Sequence, residues 1–542
     1  MLRVQPELAR QYEQQGYWEN VSFHGYLRRN AQRTPDRLAV IDSHASVTWA
    51  QLLDRVDRTA TGLLALGIRA GDTVGLQIPN RIEFFDVRFA LVRIGVRALT
   101  LAPDLRDKEL AGALQNSQCR ALISLSDYRG FDHRAMFERL QPQVPSLQWY
   151  VLADASAESG LPSLRQWLQS PADHARLAQV PELPAQEVDL LMMTSGTTGL
   201  PKLCGRTPNV FAYRARGMDE RIGLRAEDRL LSLAPITQGV GQLFGLACTL
   251  VAGATVVLLE KFDADEAVEA IARKQVTMIA GVPTHVLRMM ASPAMEHADL
   301  SRLRLIVTGA AACPPAKQRE IEERFGCPTL NYYGMGEIGI PAIPRAGDPP
   351  AIRHETSGPM IDGMELRVVD DLGNDLPPGE RGELLVRGPA ASSGYLGDDE
   401  GNARLFDAQG WAHSGDLGYL DAGGVLHIAG RKKDLIIRGG LNIVPKELED
   451  LISTHPAVRQ VAVIGVPDVE LGERACAVAS MRPGHSIDLP GLIAFMKERG
   501  ISTYKLPERL EIQDDLPLNP IGKVDVRAIK AQMAEKDKQG QT

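Results

Sequence analysis

From about residue 34 onward, short apolar runs rich in β-branched residues alternate with stretches whose apolar positions recur at helical spacing. Leu303 to Thr308 reads as a strand, Pro315 to Phe325 as a helix and Thr329 to Tyr333 as the next strand. Ala267 to Met290 repeats the theme, with a strand at Val276 to Ile279 between two helical runs. Such alternation predicts an α/β protein with largely parallel sheets. The segment Leu230 to Leu259 carries no charge, but Pro235, Thr237, Gln238 and Gln242 interrupt it. Its apolar pieces fall short of the roughly 20 residues that a membrane-spanning helix needs. It therefore reads as strand, loop, helix and strand inside a core.

Between Glu355 and Gly430 the texture shifts to short β segments, such as Glu365 to Val369 and Glu383 to Val386, separated by Gly, Pro, Asn and Asp turns. This predicts a small β subdomain. A charged knot, Gly430-Arg431-Lys432-Lys433-Asp434, precedes a final block. That block reads as strands at Leu435 to Ile437, Gln460 to Gly465 and Ala475 to Ser480, with helices at Pro445 to Ser453 and Leu489 to Arg499. The expected architecture is a large N-terminal domain, residues 1–432, of two α/β subdomains plus a small β subdomain. A small α+β C-terminal domain, residues 433–542, follows it. The polar tail after Lys530 is expected to be frayed.

At 542 residues the chain is too long for one ordinary hydrophobic core, which agrees with several domains. Its 60 basic and 68 acidic residues leave a net charge of −8. No field of that kind gathers nucleic acid or anionic lipid, so neither is an expected partner. The six cysteines form no C-x-x-C pair, which points to free thiols rather than a disulfide framework or structural zinc. The N-terminus lacks a basic stretch followed by an apolar run. Cytoplasmic residence is the expectation.

The apolar strand Val188 to Met193 runs directly into Thr194-Ser195-Gly196-Thr197-Thr198-Gly199-Leu200-Pro201-Lys202. Small residues let backbone N–H groups approach an anion, hydroxyls add donors, and Lys202 supplies charge. Such a loop suits nucleotide phosphates, although the Walker A spacing is absent.

This loop resembles the phosphate loop of the acyl-adenylate-forming superfamily, and further motifs resemble that family's in the same order. Gly309-Ala310-Ala311 is similar to the loop lining the adenine pocket, and Asn331-Tyr332-Tyr333-Gly334-Met335-Gly336-Glu337 to the adenine and magnesium motif. The resemblance implies that Tyr333 stacks on the purine, that Glu337 holds Mg²⁺ and that Gly334 borders the acid. Ser414-Gly415-Asp416 with Arg431 resembles the ribose-binding pair, and Lys433 lies where the family places its interdomain hinge. Arg438-Gly439-Gly440 resembles the loop that enters the thiol channel after the small, mobile domain turns. Leu516 to Asp525 resembles the motif of the catalytic lysine, here Lys523, which would bridge the substrate carboxylate and the nucleotide. Within the superfamily the texture is similar to stand-alone aryl-acid AMP ligases, the dihydroxybenzoate and salicylate activators of siderophore pathways.

Two departures from that pattern bear on substrate. Aryl-acid ligases usually carry His-Asn-Phe where this chain reads Thr237-Gln238-Gly239. A longer amide arm and a missing aromatic ring change the floor and volume of the acid pocket. Amino-acid-activating domains usually hold an aspartate there, and a neutral Gln238 would leave a buried ammonium unpaired. The expected substrate is a small aromatic or heteroaromatic acid without an α-amino group. The second departure is Gly336, where relatives carry Thr or Ala; the lost hydroxyl removes a phosphate contact worth about 1 kcal/mol.

The resemblance implies two steps: attack of the acid on MgATP with loss of pyrophosphate, then transfer of the acyl group to a phosphopantetheine thiol. The acceptor is expected to be a separate carrier protein, with coenzyme A as the alternative. A catalytically silent nucleotide-binding homologue is the reading from a different class. The expected assembly is a monomer or homodimer.

Overall fold

The computed structural model describes residues 4–154, 160–194, 202–311, 313–439, 441–468, 470–518 and 524–539. Two large sheets form the body of the N-terminal domain. One has eight strands in the order Gly339–Ala342, Thr329–Met335, Leu305–Gly309, Met278–Gly281, Arg229–Ser232, Thr255–Leu258, Leu38–Ile41 and Ser46–Thr48. Its inner strands are parallel and every residue of Thr255–Leu258, Met278–Gly281 and Leu305–Gly309 is buried. Helices cover both faces of such a sheet, which is why these strands are continuous apolar runs rather than alternating ones. The other has six strands, Lys202–Arg206, Leu190–Thr194, Arg97–Thr100, Thr73–Gln77, Cys119–Ser124 and Trp149–Leu152, parallel except for the Lys202–Arg206 edge.

A four-stranded antiparallel sheet, Glu365–Val369, Gly382–Arg387, Ala412–Leu420 and Leu426–Arg431, completes the large domain. A single turn, Lys432–Asp434, then leads to the small domain, whose five strands include Ile436–Arg438, Val458–Asp468 and Gly472–Met481. The helices Pro445–Ile452 and Leu489–Glu498 contribute Leu448, Ile452, Leu492 and Met496 to its core.

One expectation is borne out with a refinement, and another is corrected. The uncharged Leu230 to Leu259 stretch does fold as strand, loop, helix and strand, but its helix opens with eight residues of π-helix, Gly241–Cys248, before Thr249–Ala252. Gly241 sits against the Pro235 carbonyl, where a Cβ would lie 2.2 Å from the oxygen, so the widened turn packs directly on the preceding loop. The tail is not frayed from Lys530: the helix Val526–Gln539 continues past it. Ile529 and Met533, four residues apart on one face, are buried against Val466, Val478 and Leu516. No helix of the described residues is long and apolar enough to cross a membrane.

Candidate active site

The strand Leu190–Thr194 and the strand Lys202–Arg206 pair in antiparallel register, with Thr194 opposite Lys202. Ser195, Gly196, Thr197, Thr198 and Gly199 of the glycine- and hydroxyl-rich loop lie outside the described residues. Lys202 stands at the mouth of this hairpin. Its Nζ is 2.8 Å from Asp398 Oδ2 and 4.6 Å from the centre of the Tyr395 ring. The Lys202 ammonium holds the Asp398 carboxyl below its usual range, helped by the Gly401 N–H at the start of the Asp399–Leu405 helix.

Tyr395 links Lys202 to Glu337. Its hydroxyl donates to Glu337 Oε1 at 2.8 Å, and burial, then the Glu337 charge, pushes the phenol up. Glu337 is buried, 7% exposed, and its backbone carbonyl accepts from the Ser392 N–H at 2.7 Å. The residue lies in the tight turn between Thr329–Met335 and Gly339–Ala342, where a Cβ on Gly334 would lie 2.4 Å from the Gly339 carbonyl oxygen. Gly334 is therefore constrained by the turn itself. No three potential metal-ligating side chains cluster among the described residues. A lone buried carboxylate with one oxygen held by a phenol fits a hard cation that takes its remaining ligands from phosphates and water.

Tyr333, Asp416 and Arg431, the residues that the motifs assign to adenine and ribose, come together. Tyr333 Oη donates to Asp416 Oδ2 at 2.7 Å, and Arg431 Nε lies 3.1 Å from Asp416 Oδ1. Asp416 and Arg431 are cross-strand partners in the four-stranded sheet, so the sheet register sets their approach. Asp416 is 4% exposed; burial raises its carboxyl while Arg431 opposes that rise. Both carboxylate oxygens are thus engaged within the protein, and the Tyr333 hydroxyl is committed to Asp416. Gly309 ends its strand where a Cβ would lie 2.2 Å from the Tyr332 ring. Ala310 follows with φ +60°, a left-handed conformation that costs an alanine about 1 kcal/mol. The chain leaves the strand sharply there, with Ala310 and Ala311 half-buried.

The residues expected to border the acid have a different character. Thr237 is buried, 5% exposed, and its hydroxyl has no hydrogen-bond partner among the described residues. Gln238 is tied by its backbone, donating to the Pro235 carbonyl at 3.0 Å and accepting from Gln242 N–H at 2.8 Å, and Gly239 is exposed.

Among the described residues, the small-domain candidates Arg438 and Gly439 make their contacts within their own domain. Arg438 pairs with Glu508 at 2.7 Å, within its own domain, and the Gly439 N–H donates to the Leu471 carbonyl at 2.7 Å. Gly440 and Lys523 lie outside the described residues. Lys433 sits in the turn between the domains; burial, then Arg431, pushes its ammonium down.

Sequence reasoning missed Tyr395, Asp398, Arg206 and Arg214. The two arginines are buried and both donate to the Gly336 carbonyl, from Arg206 Nη2 at 2.6 Å and Arg214 Nη2 at 3.1 Å. Burial, and then Arg206, pushes the Arg214 guanidinium down. A Cβ on Gly336 would lie 2.7 Å from Arg206 Nη2, so the missing side chain at this position makes room for the guanidinium.

Residues 27–396 match the family described as AMP-binding enzyme, and residues 447–523 match the AMP-binding enzyme C-terminal domain. The chain is 34% identical over 517 residues to a medium-chain fatty-acid–CoA ligase of Escherichia coli (strain K12), covering 95% of this chain and 90% of that protein. It is 34% identical over 536 residues to a salicyl-AMP ligase / salicyl-S-ArCP synthetase of Mycobacterium tuberculosis, covering 97% and 93%. A crystal structure of an anthranilate CoA ligase in complex with anthranoyl-AMP superposes with a TM-score of 0.86 at 26% identity, covering 95% of this chain and 97% of the other. With the Lys202 hairpin, the Tyr333–Asp416–Arg431 cluster and the buried Glu337 in one large domain, and a small domain following it in the chain, the protein belongs to the AMP-binding enzyme family of ATP-dependent adenylating ligases.

Proposed function

We propose that the chain joins a small aromatic carboxylic acid lacking an α-amino group to AMP, then passes the acyl group to a phosphopantetheine thiol on a separate carrier protein. Siderophore or related natural-product assembly is the setting this chemistry serves. The observation that carries the reading is the convergence of Tyr333 and Arg431 on Asp416 in the same domain as Glu337 and Lys202. Relatives named for salicyl-AMP formation and for anthranoyl-AMP support an aromatic acid.

In the first step the acid's carboxylate oxygen attacks the α-phosphorus of ATP, and the bond to pyrophosphate breaks. Asp416 and Arg431 fix the ribose, Tyr333 offers a ring face to the purine, and Lys202 exchanges its contact with Asp398 for phosphate oxygens. Glu337 would hold Mg²⁺, which when bound neutralises charge on the phosphates. Lys523 bridges the carboxylate and the nucleotide. The small domain, residues 433–542, then turns about Lys433 and brings Arg438, Gly439 and Gly440 toward the site, where the thiol sulfur attacks the acyl carbon and AMP leaves. The single turn Lys432–Asp434 between two separate sheets suits a pivot.

ATP–pyrophosphate exchange across benzoates, hydroxybenzoates, picolinates and cinnamates tests the reading. One preferred acid is expected; absence of exchange with every acid would sink it. A second reading, an aryl- or acyl-CoA ligase, draws on the two similar proteins named as CoA ligases. Offering coenzyme A and a holo aryl carrier protein in parallel decides between them, with faster loading of the carrier expected.

A further inference from the structure

Arg206 and Arg214 reach the turn bearing Glu337 from different elements, the edge strand Lys202–Arg206 and the helix Pro208–Ile222. Their shared acceptor is one neutral carbonyl, that of Gly336. Arg214 also donates through Nε to the Ala390 carbonyl at 2.9 Å. Anchoring a turn requires only a neutral donor. Two buried guanidiniums, 2% and 6% exposed, are a costly way to provide one. Arg206 Nε and Nη1 are buried with no acceptor among the described residues, so hydrogen bonding alone does not account for this pair.

The turn is shaped around the two arginines. A Cβ on Gly336 would lie 2.7 Å from Arg206 Nη2, and one on Gly339, at φ +78°, would lie 2.8 Å from Arg214 Nε. The same turn is held on its far side, where Glu337 accepts from Ser392 N–H and from Tyr395 Oη. Glu337 is thus gripped through the preceding peptide, through its own carbonyl and through one carboxylate oxygen.

We propose that Arg206 and Arg214 are positioning residues for Glu337: they fix the Gly336–Glu337 peptide so that the carboxylate meets a divalent cation on ATP already oriented, and their charge balances it until that cation arrives. The inference rests on the proposed role of Glu337 in holding Mg²⁺. Partners that orient a metal-binding carboxylate typically change metal affinity about 10- to 100-fold when removed.

Calorimetric titration of the full chain with ATP, in chelator and over a series of Mg²⁺ concentrations, tests this without turnover. Arg214→Met is expected to bind metal-free ATP within about 2-fold of wild type, while the Mg²⁺ concentration for half-maximal enhancement of ATP binding rises about 10-fold. Arg214→Lys, which restores a charged donor, is expected to recover part of that loss. An unchanged Mg²⁺ requirement, or an equal loss of metal-free and metal-loaded ATP binding, overturns the proposal. If Arg214→Met does not fold, Arg214→Lys and Arg206→Lys go through the same titration, and a wild-type Mg²⁺ requirement in both overturns it. A wild-type chain whose ATP binding ignores Mg²⁺ would instead remove the role of Glu337, a failure distinct from that of the arginines.

Discussion

On the nucleotide side of the site, Asp416 has both oxygens engaged by Tyr333 and Arg431, Lys202 is paired with Asp398, and Glu337 is held by Tyr395 and Ser392. On the acid side the buried Thr237 hydroxyl has no partner among the described residues, and Gln238 makes its hydrogen bonds there through its backbone. The groups proposed to bind ATP, the ligand common to every such reaction, are held in place by protein partners, although Lys202 has to release Asp398 to reach phosphate. Groups that read the variable ligand stay open. A buried unpaired hydroxyl costs about 1–3 kcal/mol, and an acid that satisfies it recovers that cost as selectivity.

The comparison can be broken at either side. The largest expected effect is at Lys523: Lys523→Ala should lower ATP–pyrophosphate exchange by about 10³-fold, in the range for losing a group that acts on developing charge. Thioester formation from supplied adenylate should survive, and an equal failure of both half-reactions would remove the assigned role. Asp416→Ala comes next, at about 10²-fold in kcat/KM for ATP. It removes the acceptor of the Tyr333 hydroxyl, a charge-assisted bond worth about 1.5–3 kcal/mol, and the partner of the half-exposed Arg431; the KM for the acid, measured at saturating ATP, should move little. Thr237→Val should alter the ranking of acids by about 10-fold while leaving ATP affinity unchanged. If it shifted ATP and acid alike, the two sides would not be separable.

The smallest effect lies in the small domain and serves as a control. Glu449 Oε1 accepts from Val463 N–H at 2.9 Å, and burial raises its carboxyl to about 7. Burial favours the neutral acid, so its contribution to stability is complete below the unfolded value near 4.5 and is lost as pH rises through about 7. Melting of wild type against Glu449→Gln should diverge by a few degrees across that interval, with no change in exchange activity at fixed pH.

Much of this was legible before the fold. The strand Glu365–Val369 and the helix Pro315–Phe325 coincide with their sequence expectation because turn residues bracket a clean periodicity. The order of the motifs groups Tyr333, Asp416 and Arg431, and the fold brings them within hydrogen-bond reach. Arg206 and Arg214 were not legible, because they meet Gly336 across separations of 130 and 122 residues and neither sits in a recognisable spacing. The π-helical opening at Gly241 depends on packing against the Pro235 carbonyl, which no local propensity encodes. The terminal helix was hidden by its polar composition, although the Ile529 and Met533 pair was the signal that could have revealed it.

The most direct test of the central claim is to incubate the chain with MgATP and the panel of aromatic acids in the absence of any thiol, then to identify the bound product by mass spectrometry. The expected product is an aroyl-AMP mixed anhydride at up to one equivalent per chain, with pyrophosphate released. ADP and orthophosphate as products, or no acyl adenylate with any acid, would contradict it.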